Sequence, residues 1–330
     1  MDMKTTDMDM LHGALTGKLL RFTLPVALSS IVQQLFNAAD TAVVGYFGDA
    51  DALAAVGTNT EIIALIVTVS CGLSIGANVL AARLIGRREK DAIPAAARTA
   101  LLLSAVIGVV GLLLGQVVAA PLLHMIRTPE RIFSTAALYL RIYLLGYPGL
   151  LLYDFGSALL RARGDSRYPF LALTISGAVN VGLNVFFVVV FRMGVAGVAI
   201  ATDISTLLSA WLVLRRLAKD ELFHPSLRGA RLSLSAVWEV LKTGVPSAVQ
   251  GAVFCLANIF MQASVNGFGE TAIAGQHRRH DRYLRVPHRL DIHRVPGFPD
   301  PSHALSRVSA LMGRDYPAGE RMLHIYPPIE

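Results

Sequence analysis

The stretch at residues 100–126, ALLLSAVIGVVGLLLGQVVAAPLLHMI, contains no lysine, arginine, aspartate or glutamate. A helix crossing the hydrocarbon core of a bilayer needs about 20 mostly apolar residues at a rise of 1.5 Å each. This stretch is long enough, and two further charge-free runs, 62–82 and 171–191, are as well. Lipid offers no partner to a backbone N–H or C=O. Such runs are therefore helices, which satisfy their backbone within one segment.

Composition supports the same class. The 330 residues are 54% apolar and only 16% charged, with a mean hydropathy of +0.53. Soluble domains carry about a quarter charged residues. The net charge of +7 would suit nucleic acid, but the charges gather between the apolar runs and in the last fifth of the chain. Cys71 and Cys255 lie in apolar segments without a C-x-x-C pair, which argues against a disulfide or a metal site. The N-terminus carries Asp2, Asp7 and Asp9 instead of a basic leader. The first apolar run lacks a small-residue cleavage site and is expected to be an uncleaved first span.

Seven helices are predicted, at 19–47, 52–83, 93–124, 131–155, 168–191, 195–214 and 236–267. The connectors alternate in charge. Lys4, Lys18 and Arg21 precede helix 1, Arg83, Arg87, Arg88 and Lys90 follow helix 2, and Arg161, Arg163 and Arg167 follow helix 4. Arg215, Arg216, Lys219, Arg228 and Arg231 follow helix 6, whereas residues 48–51 are acidic and 191–194 hold only Arg192. Arg127 and Arg131 around Glu130 interrupt the alternation once. The positive-inside rule places the N-terminus in the cytoplasm of a multi-pass cell-membrane protein.

Residues 20–49 align without a gap on 241–270. Leu20 falls on Leu241, Pro25 on Pro246, Leu35 on Leu256, Asn37 on Asn258, and Phe47-Gly48-Asp49 on Phe268-Gly269-Glu270. Unrelated apolar helices match by chance at Leu, Ala and Val, but rarely at Pro, Asn and a closing Phe-Gly-acid at one offset. Helix 7 therefore restarts helix 1, which implies two parallel six-helix lobes with a substrate cleft between them. The expected organisation is a cytoplasmic segment (1–18), an N-lobe (19–217), a linker (218–235), the start of a C-lobe (236–275) and an atypical tail (276–330). Two complete lobes at this offset need roughly 440 residues. The tail holds six of nine histidines, seven of fifteen prolines and no lysine, without a run able to span. A truncated or frameshifted second lobe is the expected explanation. A short variant with a basic cytoplasmic tail is the alternative.

Four segments resemble the multidrug and toxic compound extrusion (MATE) family, particularly its DinF-like branch. They are Gln33-Gln34-Leu35-Phe36-Asn37-Ala38-Ala39-Asp40-Thr41, Gly72-Leu73-Ser74-Ile75-Gly76-Ala77-Asn78, Leu160 through Pro169, and Asn180-Val181-Gly182-Leu183-Asn184. The resemblance covers about residues 12–275. It implies an all-α, twelve-helix, two-lobe antiporter that exports organic, often cationic compounds against an H⁺ or Na⁺ gradient. This chain lacks most of the second lobe.

Asp40 lies two-thirds of the way along helix 1 in an otherwise uncharged run. A carboxylate there costs about 2.5–3.5 kcal/mol on insertion scales, so it reads as a proton or cation site, or as a hydrogen-bonding anchor to a neighbouring helix. Asn180 and Asn184 are i, i+4 and share one helix face. Amides are also common glue between membrane helices. The resemblance assigns the family's first-lobe ion site to the positions of Asp40, Asn180, Asn184 and Thr202. Some relatives carry a carboxylate where Asn184 stands, so this chain keeps an oxygen ligand there and loses a titratable group. Oxygen-only ligands suit a hard cation such as Na⁺, and H⁺ on Asp40 alone is the other option.

Gln33, Gln34 and Asn37 occupy about one turn and are expected to line the substrate cleft, with Asp203 as a further cleft residue. Glu61 is placed near the membrane interface. Pro25 and Pro246 mark where each lobe's first helix starts or kinks. No H-E-x-x-H, nucleophile–base pair or G-x-x-x-x-G-K loop is present, and no fold or aromatic platform points to nucleic acid. The expectation is a non-enzymatic transporter without a cofactor beyond its coupling ion, whose partners are the bilayer and small organic substrates. No specific protein partner is implied. A lipid-linked oligosaccharide flippase of the same superfamily and an inactive fragment are the alternatives. A flippase would want cations in the cleft for pyrophosphate, and the first-lobe spans have almost none.

Overall fold

The computed structural model describes residues 15–48, 50–89, 91–220, 222–223 and 233–267. The tail at 276–330, the segment before residue 15, most of the linker and the Phe268-Gly269-Glu270 end of the repeat lie outside the described residues. Eight helices are found among the described residues: α1 (Leu15–Phe47), α2 (Ala50–Gly86), α3 (Ile93–Met125), α4 (Glu130–Leu145), α5 (Tyr147–Ala162), α6 (Arg167–Val185), α7 (Gly194–Ala218) and α8 (Leu234–Gly267). α6 continues into a π-helical turn, Phe186–Val190. There is no strand among the described residues. The chain is an all-α, multi-pass membrane protein.

One predicted span differs from its expected form. The single helix expected at 131–155 is two helices, α4 and α5, bent by 45° and continuing to Ala162. Gly146 sits at the joint, and Pro148 stands in the first turn of α5, where its missing N–H leaves no backbone bond unmade. An apolar run reads the same whether straight or bent, so periodicity gives no sign of the break. Counting the bent pair as one span, at least six helices among the described residues are long and apolar enough to cross a membrane. Gln33, Gln34, Asn37 and Asp40 all lie on α1.

One end of the bundle is basic and clipped by ion pairs. Arg163 pairs with the buried Asp220, Arg216 reaches Asp165 at 3.6 Å, and Arg83 meets Glu239 of α8 at 2.7 Å. At the opposite end Arg131, which had interrupted the charge alternation, pairs with Asp51 at 2.9 Å and ties the start of α4 to the start of α2. It is a staple between two helices.

α8 lies along α2 at backbone contact. A Cβ on Gly76 would collide with the Val240 carbonyl, and one on Gly244 would sit 2.6 Å from the Leu73 carbonyl. Membrane helices associate through such small residues because lipid supplies no hydrophobic drive between them. Above this seam the Cys255 Sγ–H donates to Thr68 Oγ1 at 3.4 Å. The outer faces of α1, α3, α6 and α8 carry exposed Leu24, Leu113, Val190 and Phe254, as a lipid-facing surface should.

Candidate ion site and cavity

Asp40 projects from α1 toward α6 and α7 and is only 8% exposed. Asn184, fully buried on α6, donates one amide hydrogen to Asp40 Oδ1 at 2.5 Å and the other to Asn180 Oδ1 at 3.1 Å. Asn180 in turn donates to Thr202 Oγ1 of α7 at 3.3 Å. The Thr202 hydroxyl lies 2.9 Å from the Val198 carbonyl and 3.4 Å from Asp40 Oδ2. A hydroxyl has one hydrogen, and the shorter bond takes it. Asp40 Oδ2 is thereby weakly satisfied, and Asn184 Oδ1 has no partner at all.

The four residues named from sequence thus meet at one point between three helices. The chemistry of the cluster is oxygen-rich: a carboxylate, two amide oxygens and a hydroxyl. Rotating the Asn184 amide would replace an N–H donor with a carbonyl oxygen facing Asp40. The set fits a small hard cation in that state, and a proton on Asp40 Oδ2 in the other. Asn184 also explains why an amide serves here: a carboxylate could not donate to both Asp40 and Asn180.

This cluster opens onto a cavity of about 500 Å³. Gln33, Gln34 and Asn37 line it, as the sequence led one to expect, together with Asp40, Asn180 and Thr202. Asn37 donates to Gln34 Oε1 at 3.1 Å, so the two amides present a joined polar edge. Asp203 does not line it. It lies on another face of α7, where its carboxylate abuts Gly146 at the α4–α5 break closely enough that a Cβ there would collide with Oδ1. Adjacent helical residues are rotated by about 100°, so Asp203 points away from Thr202. Placed at the start of α5, its charge complements the free N–H groups of a helix N-terminus.

Sequence reasoning missed Tyr139 and Tyr143 of α4, whose rings are tilted toward each other on the cavity wall with centroids 6.5 Å apart. It also missed Ser205 and Ser209, one turn apart on α7, and Glu61 as a lining residue. Asn258 of α8, the repeat partner of Asn37, lines it too. No described lining residue is basic.

A family model named MatE matches residues 25–186. The probable multidrug resistance protein YpnP of Bacillus subtilis is 30% identical over 275 residues, 81% of this chain and 60% of that protein. The chain is similar to the MATE family across its first lobe. Other relatives include the probable multidrug resistance protein YoeA of Bacillus subtilis, 27% identical over 77% of this chain and 56% of YoeA. Among solved structures, a MOP superfamily transporter from Pyrococcus furiosus superposes with a TM-score of 0.75 at 25% identity, over 86% of this chain and 63% of the other. A MATE protein in complex with MaD3S superposes with a TM-score of 0.73 at 26% identity, over 82% and 61%. The chain spans about three-fifths of the curated relatives it matches.

Proposed function

We propose that this chain serves the export of small organic, often cationic compounds, driven by Na⁺ or H⁺ bound at Asp40, with its basic helix ends in the cytoplasm. The observation that carries the reading is a buried carboxylate held by Asn184, Asn180 and Thr202 beside a cavity of about 500 Å³. The cavity wall has two carboxylates, Asp40 and Glu61, an aromatic pair, and no basic side chain among the described residues. That polarity favours a cation. It disfavours a pyrophosphate-linked lipid, which would need positive charge on the wall.

Ion and substrate would each favour one arrangement of the lobes, and a ligand shifts such an equilibrium only by its differential affinity. The test uses the full chain in nanodiscs. NaCl, compared with choline chloride, should raise the melting temperature, and Asp40→Asn should remove the rise. In a pump-deficient host the chain should lower ethidium accumulation, and Asp40→Asn should abolish that effect. An Asn variant that responds to Na⁺ and pumps like the parent would sink the assignment. Na⁺ binding without efflux would retain the ion site and discard the export.

A further inference from the structure

Asp154 is a second intramembrane carboxylate, outside the Asp40 network. It lies on α5 one turn past Leu150, which lines the cavity, and so about 6 Å beyond the cavity wall. The displacement runs toward the basic end of the bundle, where α5 finishes at Arg161 and Ala162. On α2 the same step leads from the cavity residue Thr68 to Cys71, which is within electrostatic reach of Asp154. Asp40 is about two turns from the other end of its helix, so the two carboxylates occupy opposite halves of the lobe.

The surroundings of Asp154 differ from those of Asp40. Asp154 is nine-tenths buried, and its Oδ2 has no hydrogen-bond partner. Ser157, three residues on and on the same face, is fully buried beside Tyr153. The groups facing Asp154 are Cys71 of α2, Tyr143 of α4, and Tyr147, Tyr153 and Arg161 of α5 itself. Arg161 is two turns away and forms no ion pair with it among the described residues. The nearby Asn78 amide is turned to the Ala158 carbonyl at 2.8 Å, and no cluster of three His, Cys, Asp or Glu side chains exists among the described residues. A buried, unpaired carboxylate is costly as an anion and is relieved by taking a proton. A structural role at this position needs only an amide of the same shape, whereas a carboxyl group can also release what it holds.

We propose that Asp154 is a second, proton-only site of the lobe, holding a proton between the cavity and the basic end. It takes the proton from water on the cavity side and returns it to water at the basic end, with no other bond made or broken. The site stands or falls independently of ion binding at Asp40.

The test uses the full chain in nanodiscs with dicyclohexylcarbodiimide, which modifies protonated carboxyl groups in apolar surroundings, followed by peptide mass spectrometry. Asp154 should be modified at neutral pH, less so as pH rises, and equally with NaCl or choline chloride. Suppression of the Asp154 adduct by Na⁺ would overturn the proposal in favour of a shared cation site. Infrared pH-difference spectra give a readout without reagent access. A protonated-carboxyl C=O component should be present in the parent, persist in Asp40→Asn and be lost on adding Asp154→Asn to that background. An unchanged band after that addition overturns the proposal, whatever the Na⁺ experiments on Asp40 return.

Discussion

α1 and α8 are two copies of one helix, put to different uses. Each carries an internal proline, at Pro25 and Pro246, and each sends an asparagine, Asn37 or Asn258, into the same cavity. One turn further the copies part. Asp40 of α1 is buried among amides, whereas the equivalent place on α8 is Met261, which is 66% exposed. The repeat has kept the cavity-lining amide on both helices and the ionisable group on one. A carboxylate in a membrane helix is tolerable only where neighbours answer it. α6 and α7 supply Asn184, Asn180 and Thr202 to α1, while α8 instead spends its inner face on a glycine seam with α2.

The largest effect should come from making α1 resemble α8. Asp40→Met should eliminate the Na⁺-dependent rise in melting temperature, measured as differential scanning fluorimetry in NaCl against choline chloride. A retained response would place the ion elsewhere. The reciprocal Met261→Asp should create no Na⁺ response in an Asp40→Met background. It should also lower membrane insertion of α8 by about 2.5–3.5 kcal/mol in a translocon assay. Next comes the seam itself: Gly76→Val should destabilise the α2–α8 contact by about 1–3 kcal/mol, the usual cost of overpacking. Cysteines introduced across the seam would then cross-link less, with the Asp40 site unaffected. The smallest effect should be Arg83→Ala. Its pair with Glu239 is half-exposed, so about 0.2–1 kcal/mol is expected, fading as salt is raised.

The fold and the site were unequally legible in the sequence. Asp40, Asn180 and Asn184 stood out because a polar group in an apolar span carries a cost that chance rarely retains. Tyr139, Tyr143 and Ser205 gave no such signal, since tyrosine and serine sit comfortably in membrane helices, the latter by bonding back to its own backbone as Ser205 does to Ala201 at 2.9 Å. Asp203 was expected in the cleft from its mid-span charge alone, and that charge is turned to the Gly146 break instead. The bend at Gly146 was invisible for a related reason: hydropathy measures how greasy a segment is, never its direction.

The π turn at Phe186–Val190 follows directly after Asn184, with the Phe191 N–H returning to the Phe186 carbonyl at 3.4 Å. Such a turn takes up one residue more than an α turn closing the same ring of backbone. The path from the buried amide to the Arg192 corner therefore contains slack of one residue. In the course of descent, a single codon could be lost or gained there and absorbed by converting one kind of turn into the other. The Asn180–Asn184 pair would keep its phase, so the most sensitive helix face of the lobe is fenced off from the length changes that loops accumulate.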